Sequence, residues 1–93
     1  MSTRFLTLYW FDREDSTAAP RLGLAVPRDV GNAVVRNRVK RQLRELFTAG
    51  LDRIPSTNDY VLRVRSGLPE AAEANGHAWL AARFDEVFGK AAL

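Results

Sequence analysis

The sequence has no cysteine, a single histidine and no long apolar run. Without cysteine, the chain cannot form a disulfide, a thiolate nucleophile or a cysteine zinc site. His77 alone cannot form a cluster of histidine metal ligands. Because no stretch of about 18 apolar residues occurs and no signal-peptide pattern begins the chain, we expect no membrane partner and a cytoplasmic location.

Length and composition indicate a single domain over residues 1–93. Of the 93 residues, 46% are apolar and 27% are charged, which is typical of a globular protein with a modest core. The net charge of +3 is unevenly distributed, because residues 1–20 carry −1, residues 21–65 carry +6 and residues 66–93 carry −2. A basic middle between acidic ends predicts a polyanionic partner that meets this one segment.

The spacing of apolar residues predicts strands over 5–11, 22–26 and 60–65 and helices over 33–49 and 77–89. The first strand is apolar on both faces, so we expect both faces to be covered. The second strand alternates leucines with Gly23 and Ala25, which leave a nearly bare face open to a close neighbour. Between the last strand and the last helix, Pro69 can start only a short helical turn.

The helix over 33–49 carries most of the positive charge. At about 100° per residue, its apolar residues form a stripe that must pack on the sheet. The stripe consists of Val35, Val39, Leu43 and Leu46, with Phe47 at its margin. The polar residues form two flanks, with Arg36, Asn37, Lys40 and Arg44 on one side and Arg38 and Arg41 on the other. Five cations against Glu45 give the helix a charge of +4, more than that of the whole chain.

Helix stability does not explain this concentration of charge. Like charges three or four residues apart destabilise a helix by a few tenths of a kcal/mol per pair. A solvated basic face is the plainest alternative, but four of the five cations are arginine, whose planar guanidinium suits bidentate binding of phosphate. We expect RNA and no DNA, because no common DNA-binding motif is present and aromatic side chains of a sheet can stack on unpaired bases.

The basic helix and its surroundings closely resemble the bacterial ribonuclease P protein subunit. The resemblance rests on the run Gly31-Asn32-Ala33-Val34-Val35-Arg36-Asn37-Arg38-Val39-Lys40-Arg41. The Arg-Asn-Arg triplet inside this run is the signature of that family and is highly specific. The resemblance extends to the three predicted strands and covers about 60 of the 93 residues.

This resemblance implies a small two-layer α/β (α+β) sandwich, related to a ribosomal-protein fold, with the basic helix in a left-handed crossover between parallel strands. General rules alone favour the right-handed form. It also implies the function of a protein subunit of an endoribonuclease that matures the 5′ end of tRNA. The RNA subunit would carry the catalysis with its magnesium ions, and the protein would supply no catalytic residue, metal or cofactor.

The implied partners are the catalytic RNA and the 5′ leader of precursor tRNA. On matching positions, the residues that would face the leader are Tyr9, Arg36, Asn37, Lys40 and Arg44. Those that would face the catalytic RNA are Arg38 and Arg41. In the family an amphipathic helix precedes the first strand, whereas three residues precede Arg4 here. We therefore expect the strand face that bears Tyr9 to be more exposed, and the leader to meet one wall of its cleft.

Two other functions are weighed against this one. A generic RNA-binding or ribosomal-type module would bind RNA without a processing role, and restored cleavage at low magnesium would separate the two. A self-sufficient nuclease would need metal-binding carboxylates, for which Asp12, Glu14 and Asp15 are the candidates. We expect these three to form an acidic surface turn, because a two-metal site needs carboxylates from several elements that converge on ions about 4 Å apart.

Overall fold

The computed structural model describes residues 2–12, 20–54 and 58–92, with side chains as far as Gly89. Their strands and α-helices are β1 Leu6–Asp12, β2 Leu22–Ala25, α1 Ala33–Ala49, β3 Asn58–Val64, α2 Leu68–Asn75 and α3 His77–Ala92. Short 3-10 turns occupy Arg28–Val30 before α1 and Leu51–Arg53 after it. In these parts of the chain, no helix is long and apolar enough to cross a membrane.

The strands form one sheet in the order β1–β3–β2. β1 is antiparallel to β3, with Leu6 opposite Val64 and Leu8 opposite Leu62. β2 is parallel to β3, with Leu24 opposite Leu62. Because parallel neighbours need a crossover connection, α1 links β2 to β3 across the sheet. The small α+β sandwich is confirmed, and the left-handed sense of the crossover stays a prediction.

An ion pair joins the starts of β2 and β3. Arg21 donates through Nε and Nη2 to the two carboxylate oxygens of Asp59, at 3.1 and 2.7 Å. The hydrogen bond and the charge of Asp59 raise the pKa of the Arg21 guanidinium above its ordinary value. This contact between the two strand starts supports the pairing of β2 with β3.

Helix α1 begins and ends at the predicted residues, because both ends carry clear signals. Asn32 caps the start, where its Oδ1 accepts a hydrogen bond from Val35 N at 3.0 Å. Gly50 follows the last turn and donates to Leu46 O at 3.1 Å. Gly31 is required for space, since a Cβ at this position would lie 2.8 Å from Val35 Cγ1.

The core lies between the helices and one face of the sheet. Its buried side chains include Leu6, Leu8, Leu62 and Val64 from the sheet, Val39, Leu43 and Phe47 from α1, and Leu80, Phe84, Val87 and Phe88 from α3. Phe47, which the sequence placed at the margin of the apolar stripe, is a core residue whose ring centroid lies 6.2 Å from that of Tyr60 and 5.8 Å from that of Phe88. Val35 and Leu46, which the sequence placed in the stripe, are only half-buried.

The expectation that β1 is covered on both faces is wrong for its second half. Residues 6–8 are buried, whereas the next three are exposed: Tyr9 to 48%, Trp10 to 44% and Phe11 to 57%. The helices cover one face of the sheet. On the other face, Thr7 is covered by Ser2 Oγ, 3.0 Å from its hydroxyl, and by Arg65 Nε, which donates to it at 3.3 Å. The aromatic end of β1 therefore faces solvent, as expected for the face that bears Tyr9.

The segment before α3 forms a full helix and not the short turn that was predicted. α2 begins after Gly67, whose φ of 94° favours glycine, and Pro69 lies in its first turn. Leu68 and Pro69 are buried against the core. Gly76, at φ 88°, ends the helix and α3 begins at the next residue. Tertiary packing thus stabilises a helix that is too short to be stable alone.

Candidate nucleic-acid interface

One row of cations on α1 runs beside the edge strand β2. Arg36, Lys40 and Arg44 are four residues apart and therefore lie on the same side of the helix. Arg44 Nη1 donates to Leu22 O of β2 at 3.4 Å, and Arg36 and Lys40 are half-buried. We call Arg36, Lys40 and Arg44 the β2-side row.

Arg36 has a hydrogen-bonding group that the described residues do not satisfy. Its Nε is buried and has no hydrogen-bond partner among them. A buried donor without an acceptor costs about 1–3 kcal/mol, and more when the group is charged. A phosphate oxygen would remove this cost once the guanidinium turned outward to meet it. The β2-side row therefore includes one guanidinium that is suited to a bound anion.

Arg38 lies on a different side of α1, toward α2 and α3. There it lines a pocket together with Gln42 of α1, Glu73 of α2 and His77 of α3. It is exposed, as is expected for a charged side chain at the mouth of a pocket. The two sides of α1 thus face different neighbours, β2 on one side and the α2–α3 pair on the other.

Arg41 lies at the border between the two predicted groups of polar residues, and its contact with the catalytic RNA stays a prediction. The sequence placed it with Arg38, but in the structure it lines a shallow groove along the outward side of α1 together with Asn37, Lys40 and Arg44. The reason is the helical spacing, because four residues advance the chain by little more than one turn and leave Arg41 about 40° from Asn37. Of the predicted site residues on α1, Arg38 alone faces the α2–α3 side.

The cations of α1 have no acidic partner within the described parts of the chain. The ion pairs there are Arg21–Asp59, Arg53–Asp85 and Arg83–Glu86, all outside α1. Glu45 is the single carboxylate on the helix and is exposed. Uncompensated charge of this density produces a positive potential that reaches about one Debye length, about 8 Å at physiological ionic strength, and attracts polyanions.

The uncovered face of the sheet carries two arginines that the sequence reasoning did not single out. Arg63 of β3 and Arg65, which directly follows the strand, alternate with the buried Leu62 and Val64, and Arg63 lies opposite Thr7 of β1. Both line a pocket of about 400 Å³ together with Tyr9 and Asp29. The signal that could have found them is the period of two in a strand, which places both side chains on the face away from the core.

The bare edge of β2 connects the open sheet face with the β2-side row. Gly23 and Ala25 point away from the core and are exposed, and a Cβ at Gly23 would lie in ordinary contact, 3.6 Å from Val61 Cγ2. β2 is an edge strand and pairs with β3 on one side only. Its free edge is bordered by α1, where Arg44 donates a hydrogen bond to Leu22 O. A flexible polyanion can therefore pass from the aromatic sheet face to the basic helix without crossing bulky side chains.

The described residues offer binding chemistry and no metal centre. Within residues 2–12, 20–54 and 58–92, no three histidine, aspartate or glutamate side chains are grouped so that they could hold a metal ion. Of the acidic turn considered as a metal site, Glu14 and Asp15 lie outside the described residues. The candidate interface presents cations, amides and exposed aromatic rings.

Fold and surface together define a small α+β protein whose crossover helix is strongly basic and whose sheet is open on one face. The family model described as Ribonuclease P matches residues 1–92. The chain belongs to this family, and its resemblance to the ribonuclease P protein subunit is confirmed.

Known relatives agree with this assignment. The chain is 40% identical over 87 residues to the ribonuclease P protein component of Acidothermus cellulolyticus. The matched region covers 94% of this chain and 69% of that protein. It is 39% identical over 69 residues to the ribonuclease P protein component of Bacillus cereus, covering 74% of this chain and 59% of that protein. The chain thus spans about three fifths to seven tenths of the length of these relatives.

Solved structures share the fold. The RNase P protein from Thermotoga maritima, in complex with 1-(4-fluorophenyl)-2-thiourea, superposes with a TM-score of 0.84 at 25% identity and covers 95% of this chain and 80% of that one. A Staphylococcus aureus RNase P protein mutant, described as defective in mRNA degradation activity, superposes with a TM-score of 0.79 at 26% identity, covering 98% and 72%. The architecture of the sheet and helices is therefore that of the family.

Proposed function

We propose that this chain acts as the protein subunit of ribonuclease P, in the 5′ maturation of tRNA. It binds the catalytic RNA and holds the 5′ leader of precursor tRNA, while the RNA, with its magnesium ions, cleaves the phosphodiester bond. Membership of the family and the names of the relatives support this role. The protein alone is expected to cleave nothing, and we expect it to act in the cytoplasm.

The observation that carries the proposal is the uncompensated charge on α1. Five cations lie on a helix that packs into the core through Val39, Leu43 and Phe47, and four of them, Arg38, Lys40, Arg41 and Arg44, line surface pockets. Their mutual repulsion disfavours the helix, so their clustering is explained by a ligand that is itself a polyanion. The buried Nε of Arg36, which lacks an acceptor among the described residues, supports the same conclusion.

The leader is a single strand, and the open sheet face is suited to such a ligand. Tyr9 and Phe11 are exposed there and can stack on unpaired bases, while Arg63 and Arg65 line a pocket with Tyr9 and can neutralise phosphates. From this face the strand would continue over the edge at Gly23 to Arg36, Asn37, Lys40 and Arg44. Arg38 and Arg41 would then contact the catalytic RNA, Arg38 from the other side of α1.

Reconstitution tests the proposal directly. The full chain is mixed with a transcribed bacterial ribonuclease P RNA, and cleavage of precursor tRNA is measured at magnesium concentrations too low for the RNA alone. We expect cleavage at the mature 5′ end with both components and none with protein alone. A generic RNA-binding module would bind the RNA without restoring cleavage, and turnover by RNA-free protein would contradict the assignment of catalysis to the RNA.

The salt dependence of binding tests the role of the helix. With about four to five phosphates neutralised by α1, the slope of log K against log salt should lie near −3 to −4. Affinity for the catalytic RNA would then fall about a hundredfold between 50 and 200 mM salt. A slope shallower than about −1 would mean that the basic helix is only a solvated surface.

A further inference from the structure

A pocket between the three helices lies beside Arg38 and is not used by the function proposed above. It has a volume of about 240 Å³ and is lined by residues of α1, α2 and α3. Pockets that enclose a drug-sized ligand are larger, about 300–1,000 Å³, whereas a single water takes about 30 Å³. The pocket is therefore of the size of one small flat ring system.

The floor of the pocket is apolar. It is formed by Val39 and Leu80, which are 2% and 1% exposed, and by Pro69 and Ala72 of α2. Such a floor favours the face of an aromatic ring over a charged or strongly hydrated group. Phosphate alone would have to give up its water against these side chains, so it is a poor occupant.

The rim of the pocket combines groups of both signs. Arg38 and Gln42 stand on α1, and Glu73 and His77 stand opposite on α2 and α3. A carboxylate at this position repels a phosphate but accepts hydrogen bonds from the amino or imino groups of a nucleobase. Arginine and glutamine offer the complementary donors, and glutamine an acceptor as well. Flat shape, apolar faces and mixed donors and acceptors at the edge are the properties of a base.

We infer that this pocket receives one unpaired base of the RNA that Arg38 contacts. The inference rests on the proposed function, because Arg38 is expected to lie against the catalytic RNA. The charge of α1 brings the backbone of that RNA to the mouth of the pocket, where Arg38 binds a phosphate. If the base attached to this phosphate is unpaired, it turns out of the RNA and into the space above Val39 and Leu80. This side of α1 would thereby read the shape of an RNA bulge or loop in addition to its charge.

A pocket-filling variant tests the inference without changing any charge. Ala72→Leu places a larger side chain in the pocket, and Ala74→Leu makes the same change on the exposed side of α2. Binding of the full chain to a transcribed bacterial ribonuclease P RNA is measured over a range of salt concentrations. We expect Ala72→Leu to weaken binding about tenfold at every salt concentration with an unchanged slope, while Ala74→Leu binds within about twofold of the parent.

Gln42→Ala provides a second variant, since Ala72 packs against the core and its replacement can disturb folding. It removes hydrogen-bonding groups from the rim and is expected to weaken binding about fivefold, again without a change in slope. Arg38→Ala serves as the contrast, because the loss of a phosphate contact should make the slope shallower by about 1.

Chemical probing of the RNA identifies the base. One unpaired nucleotide should be protected at its hydrogen-bonding edge by the parent protein and by Ala74→Leu, and become reactive again with Gln42→Ala. Equal affinity and equal protection for the parent and both pocket variants would overturn the inference while leaving the proposed function intact. Failure of the parent itself to bind the RNA would refute the proposed function first and the pocket with it.

Discussion

The buried side and the outward side of α1 are built from opposite kinds of residue on one continuous helix. Val39, Leu43 and Phe47 lie against the sheet and α3, while arginines and a lysine occupy the remaining surface. Each buried apolar side chain stabilises the fold by about 1.5–3 kcal/mol, whereas each like-charge pair on the outward side costs a few tenths. The buried side of α1 therefore supplies the stability, and the outward side can carry residues that bind a ligand.

This comparison explains how a destabilising surface is tolerated. The repulsion among the cations is small compared with the burial of three core residues, and the helix ends are closed by Asn32 and Gly50. Mutations on the two sides should accordingly affect different measurements. Changes on the buried side should alter the free energy of unfolding, and changes on the outward side should alter affinity for RNA.

The largest effect is expected for Leu43→Asp. Leu43 is fully buried, so the variant places a carboxylate without a partner in the core and removes a large apolar side chain. Because small domains are stable by only about 5–15 kcal/mol, we expect the variant to be unfolded at 25 °C by circular dichroism. Arg41→Asp introduces the same side chain at an exposed position of α1 and should remain folded. A folded Leu43→Asp variant would show that this side of the helix is not core.

A smaller loss of stability is expected for Val39→Ala. Val39 is 2% exposed, and truncation removes two methyl groups and leaves a small cavity beneath α2 and α3. We expect a loss of about 2 kcal/mol, which lowers the Tm of a domain of this size by about 10 °C. Thermal unfolding followed by circular dichroism provides the measurement. A change in Tm of less than about 3 °C would mean that the pocket above Val39 already leaves this side chain poorly packed.

Arg38→Ala and Lys40→Ala compare the two flanks of the outward side. Lys40 belongs to the β2-side row, and Arg38 faces the α2–α3 pocket. Each lost phosphate contact should cost about 1 kcal/mol, or about fivefold in affinity. We expect Arg38→Ala to weaken binding of the catalytic RNA, and Lys40→Ala to reduce the gain in affinity that a 5′ leader gives the substrate in the reconstituted complex. Equal losses for both ligands in both variants would leave only an undifferentiated basic surface.

The parts of the fold that the sequence predicted depend on local signals. α1 was predicted with the bounds that the structure has, because Asn32 and Gly50 mark its ends and no glycine or proline interrupts it. The three strands were placed within about two residues of their observed bounds, since alternating and β-branched residues need no tertiary information. The family signature likewise lies in one continuous run of residues.

The parts that the sequence did not predict depend on contacts between distant elements. α2 is helical because Leu68 and Pro69 pack against the core, which a short segment does not reveal. The exposure of Tyr9 and Phe11 follows from which face of the sheet the helices leave open. The groove that Arg41 shares with Asn37, Lys40 and Arg44 collects residues that a helical wheel assigns to different flanks. The pocket beside Arg38 requires three helices to be placed together.

The smallest effect is expected for Val34→Ala, which makes the change of Val39→Ala on the opposite side of the same helix. Val34 is 75% exposed, so truncation creates no cavity and removes little contact. Alanine is also the better helix former by a few tenths of a kcal/mol, because valine loses side-chain freedom in a helix. The free energy of unfolding should change by less than about 0.5 kcal/mol, with any change toward higher stability. Denaturant unfolding of this variant and of Val39→Ala provides the measurement. A loss of similar size in both variants would contradict the division of α1 into a buried and an outward side.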